Sequence, residues 1–330
     1  AARLKVQLLE QENADVDRDL STIRPRTLLA ISNPLMAPGI VDLALAMRFP
    51  DSSVAGDFYA LHVRNDNSAP SRSISRNSLD VAERAAAAVE VSLTPIERYD
   101  LNFITGVLNT MQERDITEVI IGLHRRTALI DSFLGDKIER LLRSTNRMIC
   151  ITRCFNPLST LSKVYVAVPK KAEFETGFTR WVQAVGNLCR HIGCPVEFWC
   201  EDETMRMIRA VLLRARIGIA VSHKRVESFD DFVLRQGSVG QDALLVVVSA
   251  RRTSVSFDSD MDEVPPYLQR YYQSGNLIMI YPGQFGTETT TSLAETETMT
   301  MAETMATDMT TAPSPIYLKL KNLLRRLRKP

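Results

Sequence analysis

Between Arg26 and Pro282 the chain switches repeatedly between strand-like and helix-like hydrophobic periods, and this alternation limits the fold more than any other feature. "RTLLAISNP" (26–34), "VAGDFYALHVRN" (54–65), "SLTPIERYD" (92–100), "ITEVIIGLH" (116–124) and "RMICITR" (147–153) have the β-branched and aliphatic content of short strands. Between them lie segments with helical spacing: 37–49, with Pro38 suited to a first turn; the alanine-rich 76–91, after a Ser/Asn-rich loop; 102–115; and 133–145. Pro95 interrupts the third strand and weakens it.

A second round of the same alternation follows "CFNPLSTLS". Its strands are 163–170, 195–202, 217–226, 242–252 and 275–282, and its helices are 176–193, closed by Gly193, then 203–216 and 228–237. Strands that alternate with helices predict parallel sheets covered on both faces. The expected fold class is therefore α/β, with two tandem open parallel five-stranded sheets and helices on both faces. Such sheets hold ligands beyond the carboxyl ends of their strands, where strand order reverses.

The chain has 330 residues, enough for two domains with separate cores. Its 45% apolar and 24% charged content is that of a globular protein. A net charge of +1 gives no overall field for nucleic acid, so none is expected as a partner. Five cysteines without framework spacing suit a reducing compartment. No apolar run approaches the roughly 20 residues that cross a bilayer. The chain opens on alanine rather than methionine, as an interior piece of a longer protein would, and as processing would also leave it.

The expected organisation is a juxtamembrane segment (1–23), a first domain (24–156), a degenerate second domain (157–286), a threonine-rich linker (287–312) and a basic amphipathic tail (313–330). Residues 287–311 hold eleven threonines, five acidic residues and no base, a composition that cannot bury enough surface to offset its entropy. In the tail, Leu320, Leu323, Leu324 and Leu327 share one helical face with Ile316. Lys319, Lys321, Arg325, Arg326, Arg328 and Lys329 charge the rest, as in a helix that contacts an anionic membrane surface or a neighbouring domain, or is simply solvated.

The segment Ile120–Arg153 carries the most specific motif. Gly122 and Gly135 stand at the separation found in a signature of glycine, two residues, glycine, nine residues, glycine, then serine or threonine. With "ALHV" (60–63) ending the second strand, this resembles the universal stress protein family, and the likeness covers residues 24–153 and, more loosely, 162–282. The resemblance implies an adenine nucleotide hydrolase-like fold and an adenine nucleotide as cofactor. The implied binding residues are Ser32, Asn33, Val63, Gly122, Arg125, Arg126, Gly135, Asp136 and Lys137.

This chain departs from the motif at two points: Arg125 replaces the middle glycine and Asp136 replaces the hydroxyl residue. "ISNP" (31–34) also stands where the family places an aspartate against the ribose. Glycines let backbone N–H groups approach phosphate, whereas Arg125 would crowd that approach and partly replace it by charge. A carboxylate at Asp136 would satisfy the helix dipole itself and repel phosphate. The second half has no such motif.

Two tandem domains behind a charged lead-in also resemble the cytoplasmic C-terminal region of bacterial monovalent cation (Na+/K+):proton antiporters. That likeness implies a non-catalytic regulatory domain that modulates ion transport through dimer or ligand contacts. It would sit at the cytoplasmic face of the inner (plasma) membrane, with the membrane domain of the same polypeptide as partner, and as a homodimer. The alternative is a free-standing tandem universal stress protein that binds ATP or AMP.

No enzyme is expected. "ISNPLMAPG" has no Ser-Gly-Gly pyrophosphate loop, and His62, His124 and His223 sit at strand ends with no nucleophile motif nearby. Cys189 and His191 are two apart on a predicted helix, so their side chains diverge, and with Cys194 and Cys200 they match no zinc spacing. No metal site is expected.

Overall fold

Strands β1 (Arg26–Ala30), β2 (Asp57–Arg64), β3 (Leu93–Tyr99), β4 (Glu118–Gly122) and β5 (Met148–Arg153) line up in the order β3-β2-β1-β4-β5. Strands β6 (Lys163–Ala167), β7 (Val196–Cys200), β8 (Val221–Arg225), β9 (Ala243–Val248) and β10 (Asn276–Tyr281) repeat that order from the opposite edge, as β8-β7-β6-β9-β10. Within each run every pairing is parallel. The α/β architecture with helices on both faces is thus the one the alternation predicts. This computed structural model describes residues 25–48, 57–122, 138–154 and 156–284.

The two runs do not end as separate sheets. Their fifth strands pair antiparallel, with Met279 opposite Ile151, and make one ten-stranded sheet. Both strands are buried along their full length, so each removes the exposed edge of the other.

Helices α1 (Ala37–Ala46), α2 (Ala69–Ala87), α5 (Phe178–Ile192) and α6 (Asp202–Arg214) pack on one face of the sheet. Helices α3 (Phe103–Glu113), α4 (Ile138–Ser144), α7 (Phe229–Gln236) and α8 (Val264–Tyr271) pack on the other. Local chemistry accounts for their ends. The Asn102 side chain caps α3 through the Thr105 amide, and Gly193 closes α5 at φ 75°, a left-handed position that glycine adopts freely.

Three expectations shift. The Ser/Asn-rich stretch before residue 76 is helical: α2 starts at Ala69, with Ser68 accepting from the Ser71 amide and a proline in the first turn. Pro95 does not break β3, because β3 is an outer strand and needs no second row of ladder donors. Helix α8 follows a short 3-10 turn, Ser259–Glu263, in a stretch to which the hydrophobic period assigns no element; Pro265 and Pro266 are acceptable only because they fall in its first turn.

Arg251, just past β9, joins the two runs on the far side of the sheet. It donates to the Leu142 carbonyl (2.7 Å), in the last turn of α4, and to the Arg147 carbonyl (2.6 Å) beyond it. Burial pushes its guanidinium down to about 10, so it stays charged at neutral pH and offsets the negative end of α4. Arg180 on α5 adds a second link: it meets Glu118 at 2.8 Å, and the other oxygen of Glu118 accepts from Thr27.

Among the described residues no helix is long and apolar enough to cross a membrane. The longest, α2, has 19 residues but carries five charged side chains and buries only one face. The expectations of a membrane domain as partner, of a location at the inner membrane and of an antiporter role are corrected on that finding. Residues 1–23 and 285–330, including Lys319, Lys321, Arg325, Arg326, Arg328 and Lys329 of the basic tail, lie outside the described residues.

Candidate functional site

In the first run the chain order reverses between β1 and β4: β2 and β3 lie on one side of β1, β4 and β5 on the other. Backbone diverging in both directions leaves a crevice at the carboxyl ends of β1 and β4. Ala30 pairs with Ile121, so Ser32, Asn33 and Gly122 all arrive at this crevice, with Val63 one strand away on β2. Arg125, Arg126, Gly135, Asp136 and Lys137, and likewise His124, lie outside the described residues.

Three of the four described residues have a packing or capping role. The Asn33 side-chain oxygen accepts from the Leu35 amide at 2.9 Å and caps the 3-10 turn Pro34–Met36 that leads into α1. Ser32 is exposed. At Gly122 an added Cβ would stand 2.4 Å from Ile40 Cδ1 and 2.9 Å from Met36 Cε, so two side chains at the start of α1 fill the space a side chain would take. Val63 faces the other side of the sheet, where its methyls come within 2.7 Å of a Cβ built on Gly106 of α3. Alongside, a groove of about 510 Å³ runs along α1 from Leu35 and Met36 to Leu158, with Thr152 and Cys154 lining it.

The end of β2 carries a polar network. Arg64 bonds Glu97 of β3 through Nε (2.9 Å) and Nη2 (2.7 Å), and reaches the Asp66 carbonyl and the Asn67 side chain through Nη1. Ser75 of α2 donates to the second Glu97 oxygen at 2.8 Å. Burial alone would raise the Glu97 carboxyl, but the Ser75 and Arg64 bonds outweigh it and hold the group below its ordinary value. His62, on the same face of β2, is 6% exposed, and its Nδ1 has no hydrogen-bond partner. Burial lowers its pKa, so it is neutral at pH 7.

Among the described residues no three His, Cys, Asp or Glu side chains are placed to hold a metal ion. Cys189, Cys194 and Cys200 are buried, while His191 points outward toward Asp42 at 3.8 Å, consistent with the diverging directions read from spacing. Burial pushes the Cys154 thiol up to about 11 and Cys200 up to about 12, which leaves neither as a thiolate nucleophile at neutral pH. His223 meets the Cys200 carbonyl, not a nucleophile.

The second run has the equivalent crevice, between the carboxyl ends of β6 and β9, although no glycine motif marks it in the sequence. A cavity of about 120 Å³ opens there, floored by Ala167, Val247 and Val248 and walled by Trp199 and Phe232. Motif reasoning missed these residues. The usable signal was positional: Ala167, Trp199, Val247 and Val248 end the first, second and fourth strands of the second run, "VAVPK", "EFWC" and "LLVVVS", while Phe232 comes from α7, after the third.

No protein-family model matches the chain, and no curated protein matches it. Solved structures do. A protein assigned to the universal stress proteins from Pseudomonas aeruginosa UCBPP-PA14 superposes with a TM-score of 0.52 at 10% identity, over 80% of this chain and 95% of that one. A protein of unknown function from Pseudomonas aeruginosa PAO1 gives 0.52 at 11% identity, over 80% and 94%. The cytoplasmic domain of a prokaryotic cation chloride cotransporter gives 0.52 at 10% identity, over 81% and 98%. At such identities the likeness concerns the fold. The chain therefore has a universal stress protein-like α/β fold, of the adenine nucleotide hydrolase-like architecture.

Proposed function

We propose that this chain is a non-catalytic ligand-binding protein of the universal stress protein type, and that its first half takes an adenine nucleotide at the crevice beyond β1 and β4. The observation that carries this reading is the arrival of Ser32, Asn33 and Gly122 at one strand-order reversal, in a fold shared with universal stress proteins. The groove along α1 supports it with room beside the crevice. In this reading Arg125, Arg126 and Lys137 supply positive charge to the phosphates, and the missing middle glycine and Asp136 weaken the site relative to an all-glycine motif. Binding without turnover makes the protein a sensor of nucleotide level.

Calorimetric titration of the whole chain with ATP and with AMP tests this. Wild type is expected to bind weakly, and Asp136→Ser to tighten binding about tenfold by removing one like charge at the phosphates. If neither wild type nor the Arg125→Gly/Asp136→Ser double variant takes up either nucleotide, the proposal is wrong.

A further inference from the structure

The crevice of the second run is built for a different ligand. Its interior is apolar: Trp199 and Phe232 meet edge to face with centroids 6.4 Å apart, and Val247 and Val248 close the floor. A phosphate group in such a place needs free backbone N–H groups, a helix N-terminus or unpaired cations. The amides that follow β6 and β9, the caps of the two helical N-termini and the lysine at the rim are already engaged.

The amide of Val168, past β6, donates to the Trp199 carbonyl at 3.0 Å, and the amide of Ser249, past β9, donates to the Ile280 carbonyl at 2.8 Å. Helix α7 starts at the rim but is closed by its own side chains. Ser228 accepts from the Asp231 amide and Asp231 accepts from the Glu227 amide, a reciprocal capping box. The 3-10 turn that begins at Ser259 is closed in the same way by Asp258, which accepts from the Asp260 amide. Among the described residues the one cation lining the cavity, Lys170, pairs with Glu201 at 3.5 Å.

The rim has the opposite sign from a phosphate site. Glu227, Asp258 and Asp260 line it. Glu227 is paired with Arg225, while Asp258 and Asp260 have no ion-pair partner among the described residues and are exposed at the mouth. An apolar chamber under exposed carboxylates that lack an ion-pair partner among the described residues attracts a group with an apolar body and a positive head. We infer that the β6/β9 crevice is a second ligand site, selective for a small organic cation of the aryl- or alkylammonium class, and that it rejects phosphates. The body of the ligand lies against the wall that Trp199 and Phe232 form together, over Val247 and Val248, and its ammonium group meets Asp258 and Asp260. The chain then reads two chemically different ligands at two equivalent positions, and the second site stands whether or not the first takes a nucleotide.

The test uses the whole chain and four probes: 2-phenylethylammonium, 3-phenylpropionate, phenyl phosphate and inorganic phosphate, followed by equilibrium dialysis and by saturation-transfer NMR. The ammonium probe is expected to bind about tenfold more tightly than 3-phenylpropionate, since two exposed carboxylates each contribute a few-fold. Asp258→Asn/Asp260→Asn keeps the side-chain cap and should erase most of that preference. Ala167→Leu, which fills the floor, should abolish binding of the ammonium probe, with circular dichroism confirming that the variant is folded. The inference is overturned if either phosphate probe competes with the ammonium, if the anionic probe binds equally well, or if the carboxamide variant binds the ammonium unchanged. Absence of binding by every probe up to about 10 mM overturns it as well.

Discussion

Replacing Gly122 by alanine separates the two roles that a glycine can have at the end of a strand. The backbone of Gly122 is not left-handed; among the described glycines only Gly193 is. Alanine is therefore acceptable to the backbone, and the whole cost comes from contact. Its Cβ would sit 2.4 Å from Ile40 Cδ1, more than an ångström inside the roughly 3.5–4.0 Å at which carbons rest. Ile40 is 2% exposed and has little room to move. Overpacking of this kind costs about 1–3 kcal/mol.

Ile40→Val removes the offending methyl, and alone should cost about 1 kcal/mol. If the contact is the cause, the two changes must not add. The double variant is then expected to cost little more than Ile40→Val, the remainder coming from Met36 Cε at 2.9 Å, which corresponds to a coupling of about 1–2 kcal/mol. Urea unfolding followed by circular dichroism measures this, provided the slopes stay constant across the four proteins. Strictly additive costs, or a neutral Gly122→Ala, would refute the packing role. Nucleotide titration of the double variant then isolates the other role: stability restored without nucleotide binding would mean that the ligand needs the bare backbone at 122.

Two further outcomes follow from buried groups. Arg251→Met keeps the apolar stem but leaves the Leu142 and Arg147 carbonyls without their donor, so it should destabilise the chain by about 2–4 kcal/mol, with amide exchange at the end of α4 accelerated first. His62 has its folded pKa lowered by burial, so below pH 6.5 the unfolded chain binds more protons than the folded one. Stability should therefore fall as pH drops below the ordinary histidine value and level off above it. His62→Gln should flatten the difference in urea midpoint between pH 5 and pH 7.5, and an unchanged difference would assign it to another group.

The parts of the fold that were legible in the sequence are those set by local chemistry. Hydrophobic period is a property of neighbours along the chain, so the alternating strands and helices could be read directly, as could the stop at Gly193. The glycine spacing from Gly122 to Gly135 likewise pointed to the architecture. Outside the starts of α2 and α8, which local caps and first-turn prolines decide, the misreadings have one cause: the deciding partner is distant in sequence. Pro95 is harmless only because nothing pairs on its far side. The fifth strands of the two runs join because each has an apolar edge that water would otherwise reach, and no local period records that the match is antiparallel. Gly122 reads as a phosphate turn along the chain, and only in space is it also where Ile40 and Met36 come to rest. The crevice between β6 and β9 has no motif at all, because its apolar walls and its acidic rim come from segments about 90 residues apart, from Ala167 to Asp260, and only the reversal of strand order brings them together. The sequence by itself determined which segments are strands and helices and where they stop; the tertiary structure decided which ends meet, because burial and charge act through space and not along the chain.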